Sequence, residues 1–178
     1  MQPELFNDRI APTLKPSACV VVASGYNVFY KYLKIAPSND IVMVAPRMIG
    51  ASVRSRFVSG QGFPCFVSVE QDATSHAWPI ALSLCLGIGA TKGGVIESSC
   101  REETLMDLFA EQALFPMIIA TFQEAYKTLK RLGCSDEALC HEMFMSKEPA
   151  EIFEKMADDG FVKQLALHST VRYASSIF

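Results

Sequence analysis

Four short apolar runs in the first hundred residues constrain the fold more than any other feature of the chain. They are ACVVVAS, DIVMVAP, FPCFVSVEQD and GGVIES, and they are rich in β-branched residues. Runs that stay apolar at successive positions are typical of strands buried on both faces of a parallel sheet. Because helix-length segments separate these runs, the pattern predicts an α/β fold with a parallel sheet of about four strands.

After these runs the strand patterns stop and helical patterns replace them. Segment 101–133 is acidic at its start and basic at its end, which suits the dipole of one long helix. Pro116 lies within it and is expected to kink it, because proline removes a backbone hydrogen bond. We predict an α/β domain over residues 1–98 and an all-α domain over 99–178. Three shorter helices are predicted in SDEALCHEMFM, SKEPAEIFEKMADDG and FVKQLALHSTV.

Composition excludes several classes of protein. The net charge is −3 and no basic run is present, which argues against a general nucleic-acid binder. No apolar stretch reaches the about 18 residues of a membrane span, and the N-terminus lacks a secretory pattern. The six cysteines form no CxxC pair, so neither a zinc site nor a disulfide framework is favoured. This usage predicts a reducing intracellular compartment, either the cytoplasm or an organelle matrix (mitochondrion or plastid).

The long helix is apolar around most of its circumference. Such a helix must be covered on nearly all sides, and the short helices predicted after it are too few to do so. We therefore expect a protein partner along helix 102–132. The partner is either a second copy of the chain or a different chain.

Taken together, several stretches resemble the ketol-acid reductoisomerases (acetohydroxyacid isomeroreductases). Their order and spacing match the family over most of residues 2–145. The resemblance implies a Rossmann-type NADPH domain followed by a knotted all-α domain. It also implies an enzyme of branched-chain amino acid biosynthesis that uses NADPH and two magnesium ions. The stretches are LFNDRIAPTLKPSACVVVASGYNV, DIVMVAPRMIGASVRSRFVSGQGFPCFVSVEQDAT, GGVIESSCREETLMDLFAEQALF and, more divergent, GCSDEALCHEMF.

The resemblance covers only the middle of such an enzyme. The family begins with a strand, a GxGxxG turn and a helix that hold the NADPH pyrophosphate, and this chain starts after that region. It also stops before the family's helical domain is complete. GIGATKGG at 87–94 lies after a helix and before a strand, so we interpret it as a tight turn rather than a nucleotide-binding loop. We expect no cofactor-binding residue, and a partner over the open edge of the sheet.

The family's catalytic positions fall on Ser24, Arg47 and Glu97. Ser24 stands where the family has a histidine, and Arg47 stands where it has a lysine. The Gly-Pro-Gly that follows the lysine in the family is replaced by 48–50, Met-Ile-Gly. Glu97 is retained. Two of the three catalytic positions therefore depart from the family pattern.

The family's first pair of magnesium ligands falls on Asp107 and Glu111. The two carboxylates lie four residues apart on a predicted helix, and oxygen ligands suit magnesium. The second pair depends on the register, and neither register supplies two carboxylates. The positions are His141 and Met145 in one register and Glu142 and Ser146 in the other.

Two hypotheses follow from these matches and departures. The first is a ketol-acid reductoisomerase-like pseudoenzyme without cofactors, which serves as a structural or assembly subunit of a larger protein complex. The alternative is a working NADPH- and magnesium-dependent reductoisomerase, as a fragment or completed by another chain. Retention of Glu97, Asp107 and Glu111 favours the alternative.

Overall fold

Each of the four apolar runs forms a strand in the computed structural model, which describes residues 2–161 and 163. The strands belong to one sheet and lie side by side in the order in which they occur along the chain. They are β1 (Cys19–Val22), β2 (Asp40–Pro46), β3 (Cys65–Gln71) and β4 (Val95–Glu97).

The sheet is mixed rather than wholly parallel. β1 and β2 are parallel, as are β3 and β4, but β2 and β3 are antiparallel, with Pro46 opposite Cys65. The helix between them, α3 (Gly50–Ser59), does not cross the sheet. Instead the Arg47 N–H donates to the Pro64 carbonyl at 2.8 Å, so the chain re-enters the sheet where it left. The α/β class is confirmed, and the direction of this one pair was predicted wrongly.

Helices cover both faces of the sheet in the first of two compact units, which spans residues 1–113. β2 is buried along almost its whole length, as its apolar run predicts. Val42 and Val44 pack towards α4, while Met43 and Ala45 pack on the opposite face with Cys100. The helices of this unit are α1 (Gln2–Leu5), α2 (Tyr26–Phe29), α3, α4 (Ala77–Gly87) and α5 (Cys100–Phe109). The π-helical segment Phe6–Ile10 and the 3₁₀ turns Ala11–Thr13 and Ala90–Lys92 complete it.

The long helix predicted after residue 100 contains an irregular turn. After α5 a π-helical segment, Ala110–Leu114, leads into α6 (Phe115–Arg131), whose first turn contains Pro116. By length and composition alone the whole stretch Cys100–Arg131 could cross a membrane, contrary to the expectation that no segment is long and apolar enough. One such helix is weak support for a membrane span, because the core helix of a soluble protein has the same length and composition.

The second unit spans residues 114–178 and has little core among its described residues. After α6 it contains α7 (Asp136–Cys140), the π-helical segment His141–Met145 and α8 (Glu148–Asp159). Ser135 caps α7 by accepting the Ala138 N–H at 3.2 Å, as expected of a serine at that position. Apart from Phe161 and Lys163, the helix predicted after Gly160 lies outside the described residues.

Candidate functional site

Arg47 connects the end of β2 to α5. Its Nη1 lies 2.8 Å from Oε1 of Glu103, and its Nη2 lies 3.2 Å from Oδ1 of Asp107. The guanidinium also lies over the Phe66 ring, 5.0 Å from the ring centroid. One side chain therefore holds two carboxylates that are one helical turn apart.

Glu103 is the most enclosed member of this group, with 2% of its surface exposed. Its Oε1 accepts from Arg47, and its Oε2 accepts the backbone N–H of Gly25 at 2.7 Å. A buried carboxylate is tolerated only when it is paired and hydrogen-bonded, and both oxygens meet that condition here. Glu103 was not among the predicted site residues. Its spacing, four residues before Asp107, is the sequence feature that could have indicated it.

Gly25 lies where the turn before α2 comes closest to α5, beside Glu103. A Cβ at this position would lie 2.3 Å from the carbonyl oxygen of Cys100, the first residue of α5. Only glycine allows this approach without moving backbone. The turn before α2 can therefore present its N–H to the Glu103 carboxylate.

The other two predicted catalytic positions are more exposed. Ser24 immediately precedes Gly25, and its Oγ accepts the Tyr26 N–H at 3.4 Å. Glu97 is the exposed last residue of β4, and its side chain makes no hydrogen bond or ion pair with the described part of the chain. The structure thus joins Arg47 to Asp107 directly, but it does not join Glu97 to them.

The predicted metal ligands do not assemble a two-magnesium centre among the described residues. Asp107 is paired with Arg47, and Glu111 is exposed on the π-helical segment. Across residues 2–161 and 163, no group of three His, Cys, Asp or Glu side chains is placed to hold a metal ion. Two magnesium ions need several anionic oxygens between them, so these residues do not fit the family's metal pair.

The glycines at 87–94 form a turn rather than a phosphate cradle. Gly87 ends α4, Gly89 has φ +79°, and the chain then enters β4. A pyrophosphate site instead requires a turn whose N–H groups open the following helix. Segment 87–94 is therefore a turn between a helix and a strand, as predicted.

Both halves of the chain match models of one protein family. The model described as acetohydroxy acid isomeroreductase, NADPH-binding domain, matches residues 1–94. The model described as ketol-acid reductoisomerase, C-terminal domain, matches residues 100–176. The two matches are in the same order as the α/β and helical parts of the chain.

Curated relatives agree with these matches. A putative ketol-acid reductoisomerase 3 of Saccharolobus solfataricus is 36% identical over 171 residues, which cover 94% of this chain and 52% of that protein. A ketol-acid reductoisomerase (NADP(+)) of Pyrobaculum arsenaticum is 38% identical over 143 residues, covering 80% of this chain and 44% of that protein. The chain thus spans about half the length of the curated relatives it matches.

Solved structures show the same likeness in three dimensions. An NADH-preferring ketol-acid reductoisomerase from an uncultured archean superposes with a TM-score of 0.86 at 26% identity. The match covers 98% of this chain and 53% of that one. A semialdehyde dehydrogenase NAD-binding protein from Cupriavidus necator gives a TM-score of 0.70 at 13% identity, which shows likeness of fold alone.

Proposed function

Because the chain belongs to the ketol-acid reductoisomerase family, we propose that it is a member that serves as a structural subunit of a larger protein complex rather than as a catalyst. The observation that carries this proposal is the apolar surface of α6. Support also comes from the site around Arg47, where the described ligands do not fit the family's metal pair.

α6 presents an extensive apolar surface. None of its 17 residues is buried, and Phe115, Met117 and Ile119 each expose more than half of their surface. Phe115 and Ile119 lie four residues apart and so share one face of the helix, and exposed apolar patches of this kind mark interaction surfaces. A groove of about 520 Å³ on the same unit is also mainly apolar. It is lined by residues that include Ile118, Ile119, Phe122, Met143, Phe144 and Pro149.

The first unit offers a second place for a partner. β1 lies at an edge of the described sheet, with Val21 47% exposed. An edge strand carries unpaired backbone N–H and C=O groups that can pair with another strand. We propose that the partner, a second copy or a different chain, covers this edge as well as the α6 surface.

The decisive experiment is affinity purification of the tagged endogenous protein, with native mass measurement and identification of its subunits. We expect a large assembly that contains unrelated polypeptides. Recovery of the chain as a monomer would contradict the proposal.

Two matched variants test whether α6 is the contact surface. Ile119→Glu places a charge on the apolar surface and should reduce recovery of the partner at least about tenfold, because the charge is desolvated on binding. Thr128→Glu adds the same charge at an exposed polar position of α6 and should leave recovery unchanged. Equal recovery with both variants would exclude the surface around Ile119.

A second candidate function is ketol-acid reductoisomerase activity, dependent on NADPH and magnesium and completed by a further segment or another chain. Retention of Glu97, Asp107 and Glu111 favours it. So does the identity of 36–38% to proteins named as such enzymes. Co-purification with a polypeptide that carries a GxGxxG turn, together with NADPH oxidation by the complex, would establish this alternative.

We also propose a reducing intracellular compartment. All six cysteines are free, and Cys65, Cys85 and Cys100 are buried. Burial is the main reason that the pKa of the Cys65 and Cys100 thiols is raised to about 12, so these thiols are inert rather than redox-active. Fractionation of cells that express the tagged protein would test this assignment.

A further inference from the structure

We propose that the Arg47 guanidinium takes the place of a divalent cation among the carboxylates of α5, so that the site is closed by an internal cation and does not bind magnesium. This goes beyond the structural role proposed above. It rests on the geometry around Arg47 and does not depend on what the partner is.

The shape of the guanidinium explains how one residue can pair with two carboxylates. Two different nitrogens of Arg47 reach two different carboxylates, at 2.8 Å for Glu103 and 3.2 Å for Asp107. The planar group presents separate donors in a fixed fork, whereas a lysine ammonium is a single point of charge. Contact with the Phe66 ring supports the guanidinium from a third element, β3. Arg47 therefore ties β2 to α5.

Three carboxylate oxygen atoms around Arg47 are already engaged. Glu103 uses Oε1 for Arg47 and Oε2 for the Gly25 N–H. Asp107 uses Oδ1 for Arg47, which leaves its Oδ2 and the exposed side chain of Glu111 without a hydrogen bond in the described chain. A magnesium ion would have to displace Arg47, or sit within a few ångströms of its fixed positive charge. The arrangement therefore stabilises a metal-free site.

Titration of the purified 178-residue chain with Mn²⁺, a paramagnetic probe for magnesium, tests the proposal directly. Free Mn²⁺ is measured by electron paramagnetic resonance for the wild type and for Asp107→Asn. We expect the two curves to superimpose without a saturable site at millimolar Mn²⁺. A saturable wild-type site that Asp107→Asn weakens tenfold or more would overturn the proposal.

Substitution of Arg47 should create the metal site. In Arg47→Gln the amide can still donate to Glu103, but the positive charge is lost, so Mn²⁺ should bind at least about tenfold more tightly than to the wild type. Arg54→Gln removes a positive charge at an exposed position of α3 and serves as the matched control, with binding close to wild type. Equal Mn²⁺ affinity in Arg47→Gln and the wild type would show that Arg47 does not exclude the metal.

A measurement on the wild type covers the case in which Arg47→Gln does not fold. The arginine Nε–H resonances of the ¹⁵N-labelled chain should not respond to magnesium. A shift of the Arg47 resonance on addition of magnesium would overturn the proposal. None of these measurements involves the partner. Metal binding by the isolated chain would therefore not contradict the proposed structural role, and recovery of a monomer from cells would not contradict the metal-free site.

Discussion

Gly25 allows the turn before α2 to approach α5 closely because it has no side chain. A Cβ there would meet backbone atoms of Cys100 at 2.3–2.8 Å, and backbone cannot rotate out of the way as a side chain can. We expect Gly25→Ala to destabilise the chain by about 3 kcal/mol, at the upper end for overpacking. Gly50→Ala is the control, since a Cβ there meets nothing within 4 Å. Urea unfolding measures both, and equal stability of the two variants would contradict the close approach.

Asp40 makes stability depend on pH. Its fully buried carboxylate accepts the Thr74 hydroxyl at 2.7 Å and two backbone N–H groups, from Ala73 and Thr74. These bonds, the Thr74 hydroxyl first, hold the pKa of Asp40 below its usual range. A lowered folded pKa means that this stabilisation is present above the unfolded pKa of about 3.9 and is lost as the pH falls through the folded value.

The corresponding test compares Asp40→Asn with the wild type at pH 7 and at pH 3. At pH 7 the variant should be clearly less stable in urea, and the difference should narrow at pH 3 as the wild-type carboxylate begins to take up a proton. Asp8→Asn, at an exposed position, should be neutral at both values. A constant difference between Asp40→Asn and the wild type would show that this carboxylate is not the source of the pH dependence.

The residues of the site could be predicted from the sequence only in part. Family spacing indicated Arg47 and Asp107, and the structure brings these two into contact. Spacing could not reveal that Arg47 reaches both Asp107 and Glu103, because that depends on where β2 ends relative to α5. Nor could it separate Glu97 from the group, since the sequence does not show which way the last residue of a short strand projects.

Among the elements, those with the strongest apolar patterns were predicted best. DIVMVAP corresponds residue for residue to β2, whose two faces are both buried. The antiparallel direction of β3 was missed because hydrophobicity reports burial and not direction. The chain leaves the sheet at Arg47 and returns to it after Pro64 at the same end, which makes β3 antiparallel to β2. This return depends on the tertiary hydrogen bond between the Arg47 N–H and the Pro64 carbonyl. The π-helical segment Ala110–Leu114 was likewise not predicted, and Pro116 lies just after it, in the first turn of α6.

The cap of α5 is an element-scale test of the site. Ser99 accepts the Glu102 N–H at 3.0 Å and begins the helix that carries Glu103 and Asp107. Ser99→Ala should cost about 1 kcal/mol, the usual effect of losing a capping oxygen. Ser99→Asp should restore most of that stability, because aspartate also caps and its charge favours a helix N-terminus. Failure of aspartate to rescue would mean that the serine contributes something other than the cap.

At the scale of the whole molecule, the two units differ in what holds them together. Nearly all the buried side chains of the described residues belong to the first unit, and Leu139 is the buried one of the second. Helices gain most of their stability from packing of an apolar face, and α6 buries none of its residues and leaves Phe115, Met117 and Ile119 more than half exposed. We therefore expect the second unit to depend on the proposed partner far more than the first does.

Hydrogen exchange followed by mass spectrometry should show this difference directly. In the isolated chain, amides of β2 and β3 should exchange slowly, because opening them requires loss of the core, whereas amides of α6 should exchange orders of magnitude faster. In the assembly recovered from cells, α6 should become protected while β2 changes little. Equal protection of α6 and β2 in the isolated chain would mean that the second unit is stable alone. That result would contradict the proposal that α6 is the main contact surface.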